Sequence, residues 1–170
     1  MTRVALGLGA NLGDRVAALQ GAVDLLAPLL RDAAVSSVYE TAPFGGPPDQ
    51  PDYANAVLVG STDLEPHALL AAAHDAEQAW HRTREVRWGP RTLDVDVLAV
   101  GDLVLHDPDL VIPHPWAHER GFVLVPWAEV DPGAVIPGHG PVPGLAASAV
   151  ARDGSDVVRR RDDVALVVPA

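Results

Sequence analysis

Between Arg82 and Leu98 the chain changes character halfway, and that change limits what the region can become. The first half, Arg82-Thr83-Arg84-Glu85-Val86-Arg87-Trp88-Gly89-Pro90-Arg91, carries four arginines in ten residues. It has no helical or strand period and contains Gly-Pro, so it reads as a loop. The second half, Leu93-Asp94-Val95-Asp96-Val97-Leu98, alternates apolar and acidic residues and reads as a strand. Residues two apart in a strand face the same way, so Asp94 and Asp96 project together, with Cα atoms roughly 6–7 Å apart. Leu93, Val95 and Val97 take the opposite face and are available to a core. Such a strand needs a sheet with one face packed and the other open to a site. Two carboxylates beside a basic loop suit a hard divalent cation next to phosphate, because Mg²⁺ takes one or two carboxylates plus phosphate oxygens. Arginine grips phosphate bidentately. The plainer interpretation makes the arginines a solvated loop and the aspartates their ion-pair partners.

The basic residues narrow this further. All 12 are arginine; the chain has no lysine, so a P-loop of the form GxxxxGK[ST] is impossible. Any phosphate site must use arginine, metal and backbone amides. A net charge of −11 argues against nucleic acid or an anionic membrane surface as a partner. No run of apolar residues is long enough to span a bilayer, and the first residues lack a charged-then-apolar leader pattern. With no cysteine, disulfides and thiolate metal sites are excluded, and a cytoplasmic location is expected. At 170 residues the chain reads as one domain, 1–170.

Taken in order, Val4–Leu8 is a short strand running into Gly7-Leu8-Gly9-Ala10-Asn11-Leu12-Gly13. This glycine spacing misses GxGxxG by one residue, and a strand-to-helix turn capped by Asn11 or Asp14 is the better reading. Apolar residues Leu19, Val23, Leu26 and Leu30 mark an amphipathic helix over 15–30. Val35–Thr41 reads as a second strand, and Ala42–Asp52 as a long Pro- and Gly-rich loop. Tyr53–Gly60 reads as a third strand, with Tyr53, Asn55, Val57 and Val59 on one face and Ala54, Ala56 and Leu58 on the other. A ring to stack on and an amide that both donates and accepts suit a flat heterocycle. Leu64–Trp80 reads as a second helix, capped by Thr62 or Asp63. His67, His74 and His81 repeat every seven residues, but two helical turns separate neighbours by about 10 Å, too far for one ion. A hairpin is expected across Gly101-Asp102, from Val97–Val100 to Leu103–His106. Leu124–Val130 suits a short helix or strand, 142–152 a last helix, and Arg159-Arg160-Arg161-Asp162-Asp163 a solvated turn.

Three segments then align with one family. Trp88-Gly89-Pro90-Arg91-Thr92-Leu93-Asp94-Val95-Asp96-Val97-Leu98 resembles the signature of 6-hydroxymethyl-7,8-dihydropterin pyrophosphokinase, an enzyme of folate biosynthesis. Asp52-Tyr53-x-Asn55 resembles its pterin-pocket motif. Pro113-His114, followed by Arg120 and Phe122, resembles a second signature. The resemblance is strongest over 4–126 and leaves the tail, 141–170, unassigned. It implies an α+β domain with a ferredoxin-like core, a mostly antiparallel sheet with helices packed on it, a hairpin and a C-terminal extension.

It also implies roles. Asp94 and Asp96 would hold Mg²⁺, with two ions expected, and Arg82 and Arg91 would stabilise the transferring group. ATP, as co-substrate, would meet His74, Glu77, Arg84, Arg87, Leu98, His114 and Arg120. The pterin would meet Thr41, Ala42, Pro43, Phe44, Tyr53, Asn55, Trp88 and Phe122. The enzyme is expected to act as a monomer on these small molecules alone. The chain departs from its relatives at Trp80-His81, at Glu85 inside the arginine loop and at Asp109, where some carry arginine. Two other functions compete: a different Mg²⁺-dependent Asp-x-Asp phosphotransferase or phosphohydrolase, and a non-catalytic ferredoxin-like ligand-binding module. The first leaves Tyr53, Asn55 and Phe122 unexplained, the second the arginines beside two carboxylates.

Overall fold

A computed structural model of the chain describes residues 1–42, 51–83 and 93–170, with 81–83 described by their backbone only. Strand β1 (Thr2–Ala10) is nine residues of alternating pattern and lies inside the sheet. It pairs antiparallel with β4 (Tyr53–Thr62) on one side and β5 (Asp94–Val100) on the other. Strand β3 (Val38–Thr41) pairs with β4, and β10 (Val158–Arg161) pairs with β3. The order is β10-β3-β4-β1-β5, with β2 (Arg31–Val35) also on β4, and these pairings among the described residues are all antiparallel. With two helices connecting these strands, α1 (Arg15–Leu26) and α2 (Pro66–Thr83), this is the expected ferredoxin-like α+β arrangement.

Each face of the sheet has its own core. Leu6, Leu8, Ala54, Ala56, Leu58, Val95 and Val97 pack with Leu19, Val23, Leu69, Ala73 and Ala76 of α1 and α2. Ala5, Val57, Val59, Leu98 and Ala99 pack on the opposite face with Leu124 and Trp127 of α3 (Gly121–Val130) and Ala146 and Ala149 of α4 (Val142–Asp153). The period-2 patterns in β4 and β5 therefore come out as expected, because each apolar set meets a helical layer. No helix among the described residues is long and apolar enough to cross a membrane.

Five local expectations change. Helix α1 ends at Leu26; Pro28 then sits in a short 3-10 turn (Ala27–Leu29), since proline cannot continue the α-helical hydrogen bonding. Its cap is Asp14, whose carboxylate accepts from Ala17 N at 3.0 Å. The expected strand Val35–Thr41 divides into β2 and β3 at Ser36-Ser37. Ser36 Oγ accepts from Val57 N at 2.9 Å, so a side chain occupies a place in the ladder and the backbone turns aside. Helix α2 starts at Pro66, a residue suited to a first turn, while Thr62 Oγ1 accepts from Leu64 N.

The hairpin forms between β6 (Leu105–Asp107) and β7 (Leu110–Ile112), with Pro108-Asp109 as its turn, and a second small pair, β8 (Val135–Ile136) with β9 (Gly140–Pro141), leads into α4. At Gly101, a φ of +53° turns the chain, and Gly101 N donates to Arg3 O rather than starting a β5–β6 ladder. Finally, the arginine run 159–161 is strand, not turn. It is an edge strand, where charged side chains are tolerated and discourage further pairing.

Candidate functional site

The site lies where β1, β4 and β5 end on the face shared with α3. A cleft of about 640 Å³ opens there, lined by Thr41, Tyr53, Asn55, Asp94, Asp96, Arg120 and Phe122. A second cleft of about 310 Å³ is lined by His74, Glu77, Asp96, Asp109 and His114. Asp96 lines both, and its side chain is exposed. The carboxylate face of β5 thus stands at the junction of two clefts, each with its own set of recognition groups.

Glycine makes the floor. Gly7 pairs with Asp96 on one side and Val57 on the other; Gly9 pairs with Asp94 and Asn55. Facing strand residues share a side of the sheet, so any side chain here would stand between the carboxylates and the amide. A Cβ at Gly9 would lie 3.4 Å from Asn55 Oδ1. Gly9 therefore leaves a shelf open between Asp94 and Asn55, while at Gly7 the missing side chain makes room for Leu98, whose Cδ2 would lie 3.2 Å from a Cβ there.

Asn55 is held for recognition. It is 5% exposed, and its Nδ2 donates to Thr41 Oγ1 at 3.0 Å. One donor is used, and the remaining amide capacity faces the cleft. Tyr53, two residues earlier on the same face, and Phe122, at the start of α3, line the same cleft. The Arg120 guanidinium lies 5.7 Å from the Phe122 ring centroid, a cation–π contact that sets the two side chains together.

On the second cleft, Glu77 accepts from Val95 N at 3.1 Å, tying α2 to the start of the aspartate strand. His114 N donates to Leu98 O at 2.9 Å, and its Nδ1 accepts from Trp116 N at 3.2 Å. That assignment puts the imidazole proton on Nε2. Burial pushes the His114 pKa down, and Arg120 adds to this while Asp96 opposes it. The result is a neutral ring with one N–H to offer.

The structure brings together Thr41, Ala42, Tyr53, Asn55, Asp94, Asp96, Arg120 and Phe122 in one cleft and His74, Glu77 and His114 in the other. Leu98 stands apart. It shares the face of Asp94 and Asp96 but lies farther along β5, buried against Gly7 beneath α3, and only its carbonyl acts, as the acceptor for His114 N. Pro43, Phe44, Arg84, Arg87, Trp88 and Arg91 lie outside the described residues, as does the side chain of Arg82. Sequence reading missed the glycine shelf and a wall formed by Arg152, Asp153, Val157 and Val158. Gly7 and Gly9, read from the sequence as part of a strand-to-helix turn, lie inside β1, and glycine within a strand, which marks a close approach, was the available signal for the shelf. Nothing local pointed to the wall.

Carboxylate oxygens in a pair beside an open shelf, with no thiolate in the chain, suit a hard cation better than a soft metal. A family model described as 7,8-dihydro-6-hydroxymethylpterin-pyrophosphokinase matches residues 5–132.

The chain belongs to this family.

Among its curated pyrophosphokinase relatives, a 2-amino-4-hydroxy-6-hydroxymethyldihydropteridine pyrophosphokinase of Methylorubrum extorquens is 49% identical over 141 residues, covering 82% of this chain and 89% of the relative. A Mycobacterium tuberculosis protein of the same name is 42% identical over 146 residues, covering 80% and 76%. Of the solved structures, Plasmodium falciparum HPPK-DHPS with SDX-DHP superposes at TM-score 0.74 over 94% of this chain, with 14% identity. The chain spans 47% of that solved chain, so the likeness concerns the shared fold.

Proposed function

We propose that the chain transfers the terminal diphosphate of ATP to the 6-hydroxymethyl oxygen of 6-hydroxymethyl-7,8-dihydropterin, releasing AMP. The observation that carries this is Asp96, which lines both clefts and so places the carboxylate pair between two binding sites. The larger cleft takes the pterin. Tyr53 and Phe122 supply ring surfaces, and Asn55, oriented by Thr41, reads the polar edge of the heterocycle. The second cleft takes the nucleotide, with His114 offering its Nε2 proton to an anionic or ribose oxygen and His74 and Glu77 on its wall. Arg120 lines the larger cleft beside Phe122 and faces negative charge arriving at the junction.

In the reaction the pterin hydroxymethyl oxygen attacks the β-phosphorus. The bond from that phosphorus to the α,β-bridging oxygen breaks, and AMP leaves with the oxygen. The hydroxyl proton passes to solvent, and no side chain is assigned as its base. Such a transfer depends on alignment and charge neutralisation more than on covalent help. Asp94 and Asp96 would hold Mg²⁺, which we take as two ions, and the metal would supply charge neutralisation for the transferring diphosphate. Arg82 and Arg91, assigned from the sequence motif, add charge for the transferring group, and Arg84 and Arg87 serve the same triphosphate. Pro43, Phe44 and Trp88 complete the pterin assignment from sequence. The same reading makes the enzyme a cytoplasmic monomer acting only on small molecules.

The test is to incubate the protein with ATP and Mg²⁺, with and without 6-hydroxymethyl-7,8-dihydropterin, and to follow AMP. AMP that appears only with pterin supports the proposal. ADP and phosphate released without pterin would replace it with a phosphohydrolase, and pterin binding without turnover with a binding module.

A further inference from the structure

The family match ends at residue 132, yet Arg152, Asp153, Val157 and Val158 line the larger cleft. We infer that strand β10 is a positioning element for the ring-binding edge, and that Arg159 sets affinity for the pterin by holding Asp52. This rests on the assignment of the larger cleft to the pterin.

The register carries the first part. Val158 faces Thr41 across β10 and β3, and Thr41 faces Tyr53 across β3 and β4. The three form one row across the sheet, and all three line the cleft. Val158 also packs at α3: a Cβ added at Gly121 would come within 3.3 Å of its Cγ2. The strand is therefore wedged between the cleft and the first turn of α3, which carries Phe122.

Ion pairs carry the second part. Asp52 immediately precedes Tyr53, the first residue of β4. Arg159 Nη2 donates to Asp52 Oδ2 at 2.6 Å, and Arg15 Nη1 donates to the Asp52 carbonyl at 2.6 Å. Arg15 Nη2 also donates to Glu40 Oε1 at 2.9 Å, and Arg161 Nη1 donates to the same oxygen at 3.1 Å. Glu40 immediately precedes Thr41. Arginines from the start of α1 and from β10 thus grip the residues before both Thr41 and Tyr53. A strand end without such ties frays, and fraying here would loosen the stacking ring and the hydroxyl that orients Asn55. A run of three arginines ahead of two aspartates has no apolar pattern of its own, so pairing with β3 and these ion pairs are what hold it in the sheet.

The experiment uses the full chain and compares wild type, Arg159→Gln, Arg159→Lys, Asp52→Asn and the double variant Arg159→Gln/Asp52→Asn. Both partners are partly exposed, so the contact is that of a surface ion pair, and each single variant should raise the pterin KM about two- to five-fold. The KM for ATP, kcat and the melting temperature should stay near wild type. The double variant should match the singles, because the same contact is lost once. Arg159→Lys should recover part of the affinity. An unchanged pterin KM in Arg159→Gln, or equal rises for pterin and ATP, would overturn the inference. Wild-type protein that forms no AMP with pterin would instead overturn the assignment of the cleft, and the inference with it.

Discussion

Replacing Thr41 with valine keeps the side-chain shape and removes one oxygen. Thr41 and Asn55 are each 5% exposed, and the Asn55 Nδ2 to Thr41 Oγ1 bond is 3.0 Å long. With a methyl group in its place, a buried amide N–H faces hydrocarbon. Leaving such a donor unpaired costs about 1–3 kcal/mol. In a domain of this size that lowers the melting temperature by roughly 2–12 °C. The functional effect should be selective. An amide that is no longer oriented reads the edge of the heterocycle less well, so the pterin KM should rise roughly 5- to 30-fold, equivalent to about 1–2 kcal/mol of binding. The ATP KM should hold, since Thr41 lines only the larger cleft. Thermal denaturation and initial-rate kinetics with each substrate varied in turn measure both effects. Thr41→Ser, which keeps the hydroxyl, should restore most of the loss. Wild-type stability and wild-type pterin KM in Thr41→Val would refute the claim that Thr41 orients Asn55.

Gly9→Val tests the shelf: the strand tolerates a β-branched residue, but its methyl groups would occupy the floor beside Asn55, and the pterin KM should rise about 10-fold or more in steady-state kinetics. Tyr39 tests the tie between β3 and α3. Its hydroxyl donates to Glu129 Oε1 at 2.6 Å, and burial, with Glu129 beside it, pushes the phenol above its ordinary value of 10.0. A pKa raised in the folded state contributes stability that is complete below pH 10 and is lost as the pH rises beyond it. The chain has no lysine or cysteine and two tyrosines, so few other groups titrate there. Urea midpoints should fall as the pH rises above about 10 in wild type and fall less in Tyr39→Phe; identical slopes would contradict the assignment.

Much of the site was legible because it rests on local alternation. Leu93, Val95 and Val97 pack on α1 and α2 while Asp94 and Asp96 face the clefts, and Tyr53 and Asn55 share a face in the same way. A period of two needs only a sheet covered on its apolar side to be read correctly. The illegible parts depend on contacts distant in sequence. Arg159 and Arg161 lack an apolar pattern, and their partners, Asp52 and Glu40, lie more than a hundred residues away. Leu98 has the right face of β5 but the wrong end, because α3 covers the strand there. Ser36 broke an apparently continuous strand by placing its hydroxyl in the ladder, where the alternation gave no warning. The hairpin shifted to Pro108-Asp109 because Gly101 N bonds back to β1, a contact that no turn pattern reveals.

The central claim is that the carboxylates at the junction of the two clefts drive diphosphate transfer. Asp96→Asn keeps the shape and deletes the charge at an exposed position, so the fold should be unaffected. Measured as pterin-dependent AMP formation, kcat/KM should fall about 100-fold or more at wild-type melting temperature. Near wild-type turnover in that variant would contradict the account.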